Sequence, residues 1–422
     1  MPNMRIALTV HKYPPESLGG TEIYSWSLAR ALSAAGHVVH VFYPLPDLPP
    51  AQACIERDGV QLWRVPRPKE RADEGPAAQW WHTFRDTTIE AEFQRFLNEV
   101  QPDLVHFQHV QDVSARLIEL AAGRPRVATL HDYWYFCANG QLVRPTRRTC
   151  EGPRGGWNCV ECASARANLK WLKLARPLVA LPFAYRNHYL RDVAASIDRF
   201  IAPSHFLRDE YVRHGFPAER IVVVENGLDL DRLAERPDAN LPAPAVRPHF
   251  GFLGSLAWQK GVHVLIEAFN QVSDRAALTI YGSAAAFPAY AQQLRAAAHH
   301  SHICFAGALP PDLVGAALRQ IDCLIVPSLW YENSPLVIQE AFGLRVPVVA
   351  SNIGALREKV QDGVNGRLFT PGDALALRGI LQEFVDHPPA LDHLRAGIPP
   401  VRTMREHVAD IEAVYAQAAK HG

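Results

Sequence analysis

No run of about 18 consecutive apolar residues occurs in the chain, which excludes a membrane-spanning helix. Neither sign of charge is in excess. Lys and Arg together number 43, as do Asp and Glu, so net charge gives no reason to expect a nucleic acid as partner. The start lacks the pattern of an export signal, since residues 1–5 lead straight into a short apolar strand with no small-residue cleavage site. Cysteine is scarce and odd in number, at seven, which fits a reducing compartment. The expected location is therefore the cytoplasm. The dinucleotide fingerprint G-x-G-x-x-G is missing, with only Gly19-Gly20 in its place, which argues against an NAD-dependent oxidoreductase. There is no short-period repeat and no low-complexity segment.

What is present is a long alternation of strand and helix patterns. A chain of 422 residues is too long for one core and should divide into two or three domains. A strand over 5–10, a helix over 23–35 ended by Gly36-His37, and a strand over 38–42 make a βαβ unit. Next come a strand over 60–65, an amphipathic helix over 88–100, a strand over 104–107, a helix over 113–122 and a strand over 127–130. Strands over 200–202 and 221–224 close the first half. Pro237, Pro242, Pro244 and Pro248, with no apolar periodicity between them, read as an interdomain linker. The alternation then resumes with a strand over 249–253, a glycine-bounded loop over 254–261 and a helix over 262–272. Strands over 278–281, 303–305, 321–327 and 348–350 and a last helix over 403–419 follow. The expected organisation is an α/β chain with one domain over 1–228, a second over 249–400, and a C-terminal helix within 401–422.

Candidate site residues lie where these strands end. Gly19-Gly20 opens the first helix, where bare backbone can approach a phosphate or sugar. His131 sits at the C-terminal edge of a strand, where open α/β sheets place ligands; it can bond a sugar or shift protons. Its plainer role is a histidine satisfied by nearby backbone. His109 is in a similar place. The most informative stretch is 328–341, S-L-W-Y-E-N-S-P-L-V-I-Q-E-A, between an apolar strand and a helix with Pro335 near its first turn. Amides and the helix dipole favour an anion there. Glu332 on the loop and Glu340 in the helix stand ready for sugar hydroxyls, with seven residues between them. Lys260, just before another helix, can neutralise a diphosphate.

Strand, Pro-Ser, Glu332, Asn-Ser-Pro and Glu340-Ala341 together resemble the family-4 retaining glycosyltransferases, which carry a Glu-x7-Glu signature. The resemblance spans nearly the whole chain, strongest over 249–373 and weakest over 137–191. It implies a GT-B architecture: two doubly wound Rossmann-like domains facing a cleft, acceptor side first and nucleotide-sugar side second, with the last helix crossing back. It implies transfer of a sugar, with retention, from a nucleotide-diphosphate donor to a carbohydrate or lipid-linked acceptor hydroxyl, as in cell-surface polysaccharide or glycolipid synthesis. By the same resemblance His131 and Glu332 serve the reacting sugar. Gly19, Gly20, Lys260, Ser255, Ser334, Pro335, Leu336, Val337 and Glu340 hold the donor, with Glu340 on the ribose. Ser255 stands where the family often has Arg, so one expected phosphate cation is missing. Asp229-Leu230-Asp231 has no evident metal-binding partner, and no cofactor is expected for catalysis. The alternatives are a sugar-nucleotide epimerase of the same architecture and a catalytically inactive sugar-nucleotide binder.

Two stretches fall outside this frame. Cys137, Cys150, Cys159 and Cys162 end in a C-x2-C pair, the spacing with which two thiolates chelate one tetrahedral metal; a structural zinc, or an iron–sulfur cluster, would brace the Gly-, Pro- and Arg-rich loop over 139–158. The other reading is four free thiols. Over 164–191, Arg166, Lys170, Lys173, Arg176 and Arg186 interleave with Trp171, Leu174, Leu178, Leu181 and Tyr185. An insertion packed on its own domain is the preferred reading. Peripheral contact with an anionic inner membrane face is the other.

Overall fold

The computed structural model describes residues 3–46, 48, 53–67, 76–234, 241 and 246–420. Pro237, Pro242 and Pro244 of the expected linker lie outside the described residues. The chain divides into two compact units, Met1–Asn226 with Met404–Gly422, and Gly227–Thr403.

The first unit is built on eight strands: β1 (Arg5–Thr9), β2 (Val38–Pro46), β3 (Cys54–Arg57), β4 (Val60–Arg67), β5 (Leu104–Phe107), β6 (Arg126–Thr129), β7 (Arg199–Ala202) and β8 (Ile221–Val223). Their order is β3-β4-β2-β1-β5-β6-β7-β8, parallel throughout except for the β3–β4 pair. The second unit holds β9 (His249–Leu253), β10 (Ala277–Tyr281), β11 (Ile303–Gly307), β12 (Cys323–Val326), β13 (Val348–Ser351) and β14 (Gly366–Phe369), in the all-parallel order β11-β10-β9-β12-β13-β14. In each sheet the winding reverses once: between β1 and β5, and between β9 and β12. Those reversals open a crevice outside the carboxyl ends of the strands.

A parallel sheet covered on both faces must be apolar on both, and β12 shows this directly. Cys323 and Ile325 join Phe250, Leu278 and Leu265 in one layer, while Leu324 and Val326 join Ile338, Phe342 and Val348 in the other. The helix Met404–Ala419 buries Val408, Ile411, Val414 and Tyr415 at helical spacing in the first unit. The Tyr415 hydroxyl stands 2.8 Å from Nδ1 of His106 on β5.

Several expected elements differ. Only Leu117–Leu120 is helical within 113–122, because Asp112 and Ser114 have positive φ and break the turn pattern before it. The helix expected over 262–272 ends at Phe269, where Asn270 caps it. β3 and β14 are short strands that periodicity does not reveal. Gly366 in β14 is required by close approach, since a Cβ there would lie 2.1 Å from the Val348 carbonyl oxygen.

Candidate functional site

In the second unit the site forms at the reversal point, from the loops that follow β9 and β12. Two features lock these loops together. Leu329 donates its amide to the Gln259 carbonyl at 2.8 Å. Gly261, at φ +71°, lies so close to Pro327 that a Cβ would fall 1.8 Å from its carbonyl oxygen. This register carries Lys260 onto Glu332. Lys260 Nζ donates to Glu332 Oε1 at 2.7 Å, Ser328 Oγ donates to the same oxygen at 2.7 Å, and Trp330 Nε1 at 2.9 Å. The Trp330 ring lies 5.6 Å from the Lys260 ammonium, in cation–π contact. Glu332 is buried, and all three donors converge on one oxygen.

Beyond Glu332 the helix Leu336–Gly343 starts with Pro335 at its N-cap and no side-chain cap, which leaves its first amides to other partners. The Ser334 hydroxyl just before it is buried and without a hydrogen-bond partner among the described residues. Unmet polar groups at a helix N-terminus match an anion in both charge and geometry. Leu336 and Val337 are half-buried at this end, and Ser255 is exposed on the loop after β9. Glu340 is buried and already has a partner. Its carboxylate pairs with the guanidinium of Arg232, on the short helical turn Leu230–Leu233. Burial raises the Glu340 pKa, and Arg232 pulls it back. Nothing in the sequence points to Arg232, which lies 108 positions away. Ser328 and Trp330 stand inside the motif stretch, but their common target was not legible.

In the first unit the reversal point gathers imidazoles. His131 Nε2 donates to Gln108 Oε1 at 2.9 Å, and the Gln108 amide reaches His106 Nε2 at 3.2 Å. His109 Nε2 lies 3.1 Å from Asp132 Oδ2, and the His11 and His109 rings are 4.8 Å apart. The Tyr24 ring meets His131 edge-on at 5.1 Å. Gly19 precedes the helix Gly20–Ala34, and a Cβ there would sit 2.3 Å from Glu22 Oε2, so a larger residue would displace that carboxylate. Glu22 takes the Ser17 hydroxyl at 3.0 Å. Gly20 is different: a Cβ there would meet nothing within 4 Å, so packing does not require it. His11, Gln108 and Tyr24 were missed, since only the strand order makes them neighbours.

Burial, followed by the neighbouring imidazoles His109 and His106, holds the His131 pKa well below its usual value. Burial depresses His106 to about 3, with His407 adding to the effect. These rings are neutral at pH 7. An unfolded chain takes up protons at about pH 6.5 and the folded one does not, so stability present above that pH is lost as the pH falls. For His106 alone the loss reaches roughly 2 kcal/mol at pH 5. A melting temperature that drops clearly between pH 7 and pH 5, and drops less in His106→Gln, is the expected result. A flat profile contradicts it.

The four cysteines are drawn together: Cys137, Cys150 and Cys162 all act on the Cys159 thiol. The Cys137 thiol accepts backbone bonds from Leu142 and Asn139, Cys150 donates its amide to the Leu142 carbonyl at 2.7 Å, and Cys162 Sγ lies 3.9 Å from the Val143 oxygen. Cys159 is one helical turn before Cys162. Among the described residues no three His, Cys, Asp or Glu side chains are arranged to hold a metal ion. Burial first, and then the neighbouring thiols, push Cys159 and Cys162 up to about 12.

The model of Glycosyltransferase Family 4 matches residues 18–232, and that of Glycosyl transferases group 1 matches residues 247–387. The D-inositol 3-phosphate glycosyltransferase of Xylanimonas cellulosilytica is 27 % identical, over 98 % of this chain and 96 % of its own. A Mycobacterium tuberculosis glycogen synthase is 27 % identical over 92 % of this chain and 87 % of its own. Among solved structures, sucrose-phosphate synthase from Thermosynechococcus elongatus superposes with a TM-score of 0.69 at 19 % identity, covering 99 % of this chain and 98 % of that one. Anabaena HepE in complex with UDP and glucose superposes at 0.64 and 17 % identity, covering 99 % of both chains.

Proposed function

Since this chain belongs to glycosyltransferase family 4, we propose that it moves a sugar from a nucleotide-diphosphate donor to an acceptor hydroxyl with retention of the anomeric configuration. The bond from the anomeric carbon to the diphosphate oxygen breaks, a bond to the acceptor oxygen forms, and the acceptor's proton leaves with the diphosphate. Charge develops on the leaving group, and fixed donors aimed at it lower the barrier most. Lys260 and the backbone N–H groups of Ser334, Leu336 and Val337 are assigned this work. Glu332 takes hydroxyls of the donor sugar, and the Glu340–Arg232 pair faces the nucleotide. In the first unit, His131 acts as a neutral hydrogen-bonding group toward the sugar, and Gly19 leaves room for it. The acceptor is a carbohydrate or a lipid-linked carbohydrate, as in surface polysaccharide or glycolipid synthesis.

The observation that carries this reading is the unpartnered Ser334 hydroxyl at an uncapped helix N-terminus, beside the Glu332–Lys260 pair. UDP, the ligand of the Anabaena relative, is the first nucleotide to try. Calorimetric titration with UDP, GDP and ADP should give binding of at least one, weakened about tenfold or more by Lys260→Ala, which removes a charge-assisted contact. Mass spectrometry of products from a sugar-nucleotide panel then names the donor. Absence of any nucleotide binding overturns the proposal. Conversion of donor into an isomer without an acceptor favours an epimerase.

A further inference from the structure

Helix Arg176–Ala195 carries apolar residues on its outer side as well as on its inner one. Its inner side buries Ala180, Arg186, Asn187, Leu190 and Val193 in the first unit. Its outer side, where polar residues are the rule, carries Leu178, Leu181 and Tyr185 at one-turn spacing. Leu178 is 71 % exposed and Leu181 64 %. The stripe continues through Leu174, 89 % exposed, to Trp171 on the preceding turn Lys170–Lys173. Trp81 adds a second exposed indole, on the helix Pro76–Phe84, which packs against the same helix through Phe84 and Tyr185. So many large apolar side chains exposed along one stretch of a folded unit mark a place of association.

The charge around the stripe selects the partner. Between Cys162 and Arg191 the chain has no Asp or Glu. Arg166, Lys170 and Lys173 are exposed, and among the described residues no carboxylate lies within ion-pair distance of them. Arg176 is held by Glu161 and the Trp157 carbonyl, and Arg186 is buried with its guanidinium on the Trp134 carbonyl. Leu, Trp and Tyr on one side with unpaired cations at its border are the two terms by which a helix lies in the plane of a negatively charged bilayer: apolar insertion to the acyl boundary and attraction to anionic headgroups. A protein partner would equally cover the apolar stripe. A bilayer accounts as well for cations that flank it without matching carboxylates, and for indoles at its edges. Among the described residues no helix is long and apolar enough to cross a membrane.

We propose that the outer face of helix Arg176–Ala195, with the turn before it, docks the protein on a lipid bilayer that bears anionic headgroups. This goes beyond the transfer reaction and does not depend on it. The test is co-sedimentation of the full chain with phosphatidylcholine vesicles, with and without phosphatidylglycerol. Binding should be strong only with the anionic lipid and should weaken with salt. The double variant Leu178→Glu, Leu181→Glu should lose it about tenfold or more, and so should Lys170→Glu, Lys173→Glu. Both should keep the wild-type melting temperature, since these side chains stand in solvent. Equal binding to neutral vesicles, no binding to either, or binding unchanged in the variants overturns the proposal. Sedimentation equilibrium decides the rival occupant: a concentration-dependent dimer lost in the leucine variant, with no vesicle binding, assigns the face to a second copy of the chain. Vesicle binding is read without any sugar donor, so a protein that fails to transfer sugar still answers the question.

Discussion

Glu332→Ala is expected to lower sugar transfer by about two to three orders of magnitude, the cost of losing one fixed polar group at a reacting centre. The loss has two parts. On the proposed reading, the carboxylate takes hydroxyls of the donor sugar. It is also the common acceptor for the Lys260 ammonium, the Ser328 hydroxyl and the Trp330 indole. Without it the ammonium is free to move, and the leaving diphosphate loses a positioned cation. Three donors in a largely buried place lose their acceptor at once, which costs about 1–3 kcal/mol of stability. That leaves the second unit folded but measurably less stable. Glu332→Gln separates the parts: it keeps the shape and one acceptor oxygen while removing the charge that holds Lys260. Its stability should stay near wild type while turnover remains low. The checks are kcat and KM with the cognate donor, alongside thermal melts. Near-normal turnover in the alanine variant would remove Glu332 from the mechanism.

Gly261→Ala should be nearly as damaging, although it touches no ligand. The new Cβ would lie 1.8 Å from the Pro327 carbonyl oxygen and 2.8 Å from the carbonyl carbon, backbone atoms that cannot rotate away. The residue also sits at φ +71°, a region that side chains adopt at a cost. The loops after β9 and β12 must then separate, which costs about 3 kcal/mol. In a unit of this size that lowers the melting temperature by roughly 10 °C. Separation also draws Lys260 away from Glu332, so nucleotide affinity should fall with stability. Gly363→Ala is the control. Gly363 has a similar φ of +74° but open space around its Cβ position, so only the conformational cost of about 1 kcal/mol applies. If Gly261→Ala melts and binds nucleotide like the control, the close approach is not what sets the site.

Much of this protein was readable in one dimension. Two doubly wound α/β halves, the strand ends that carry Lys260, Glu332 and His131, and the helix start at Pro335 all follow from short-range signals. These are apolar runs of strand length, helical periodicity, and glycine or proline at turns, each acting over a few residues. The helix expected over 113–122 failed for a matching reason: the left-handed Asp112 and Ser114 are held by the surrounding fold, as in the bond from the Ser114 hydroxyl to Glu90 at 2.8 Å, and not by their own preference. Which charge meets which was decided elsewhere. Lys260 and Glu332 are 72 positions apart, Arg232 and Glu340 108, and His106 and Tyr415 309. The tertiary packing of strands, turns and helices makes them neighbours, and local periodicity carries no record of that packing. The same holds for helix Arg176–Ala195. Its composition was plain in the sequence, but a helix presents residues all round, and only its packing on the first unit settled that the leucines face out and Arg186 faces in.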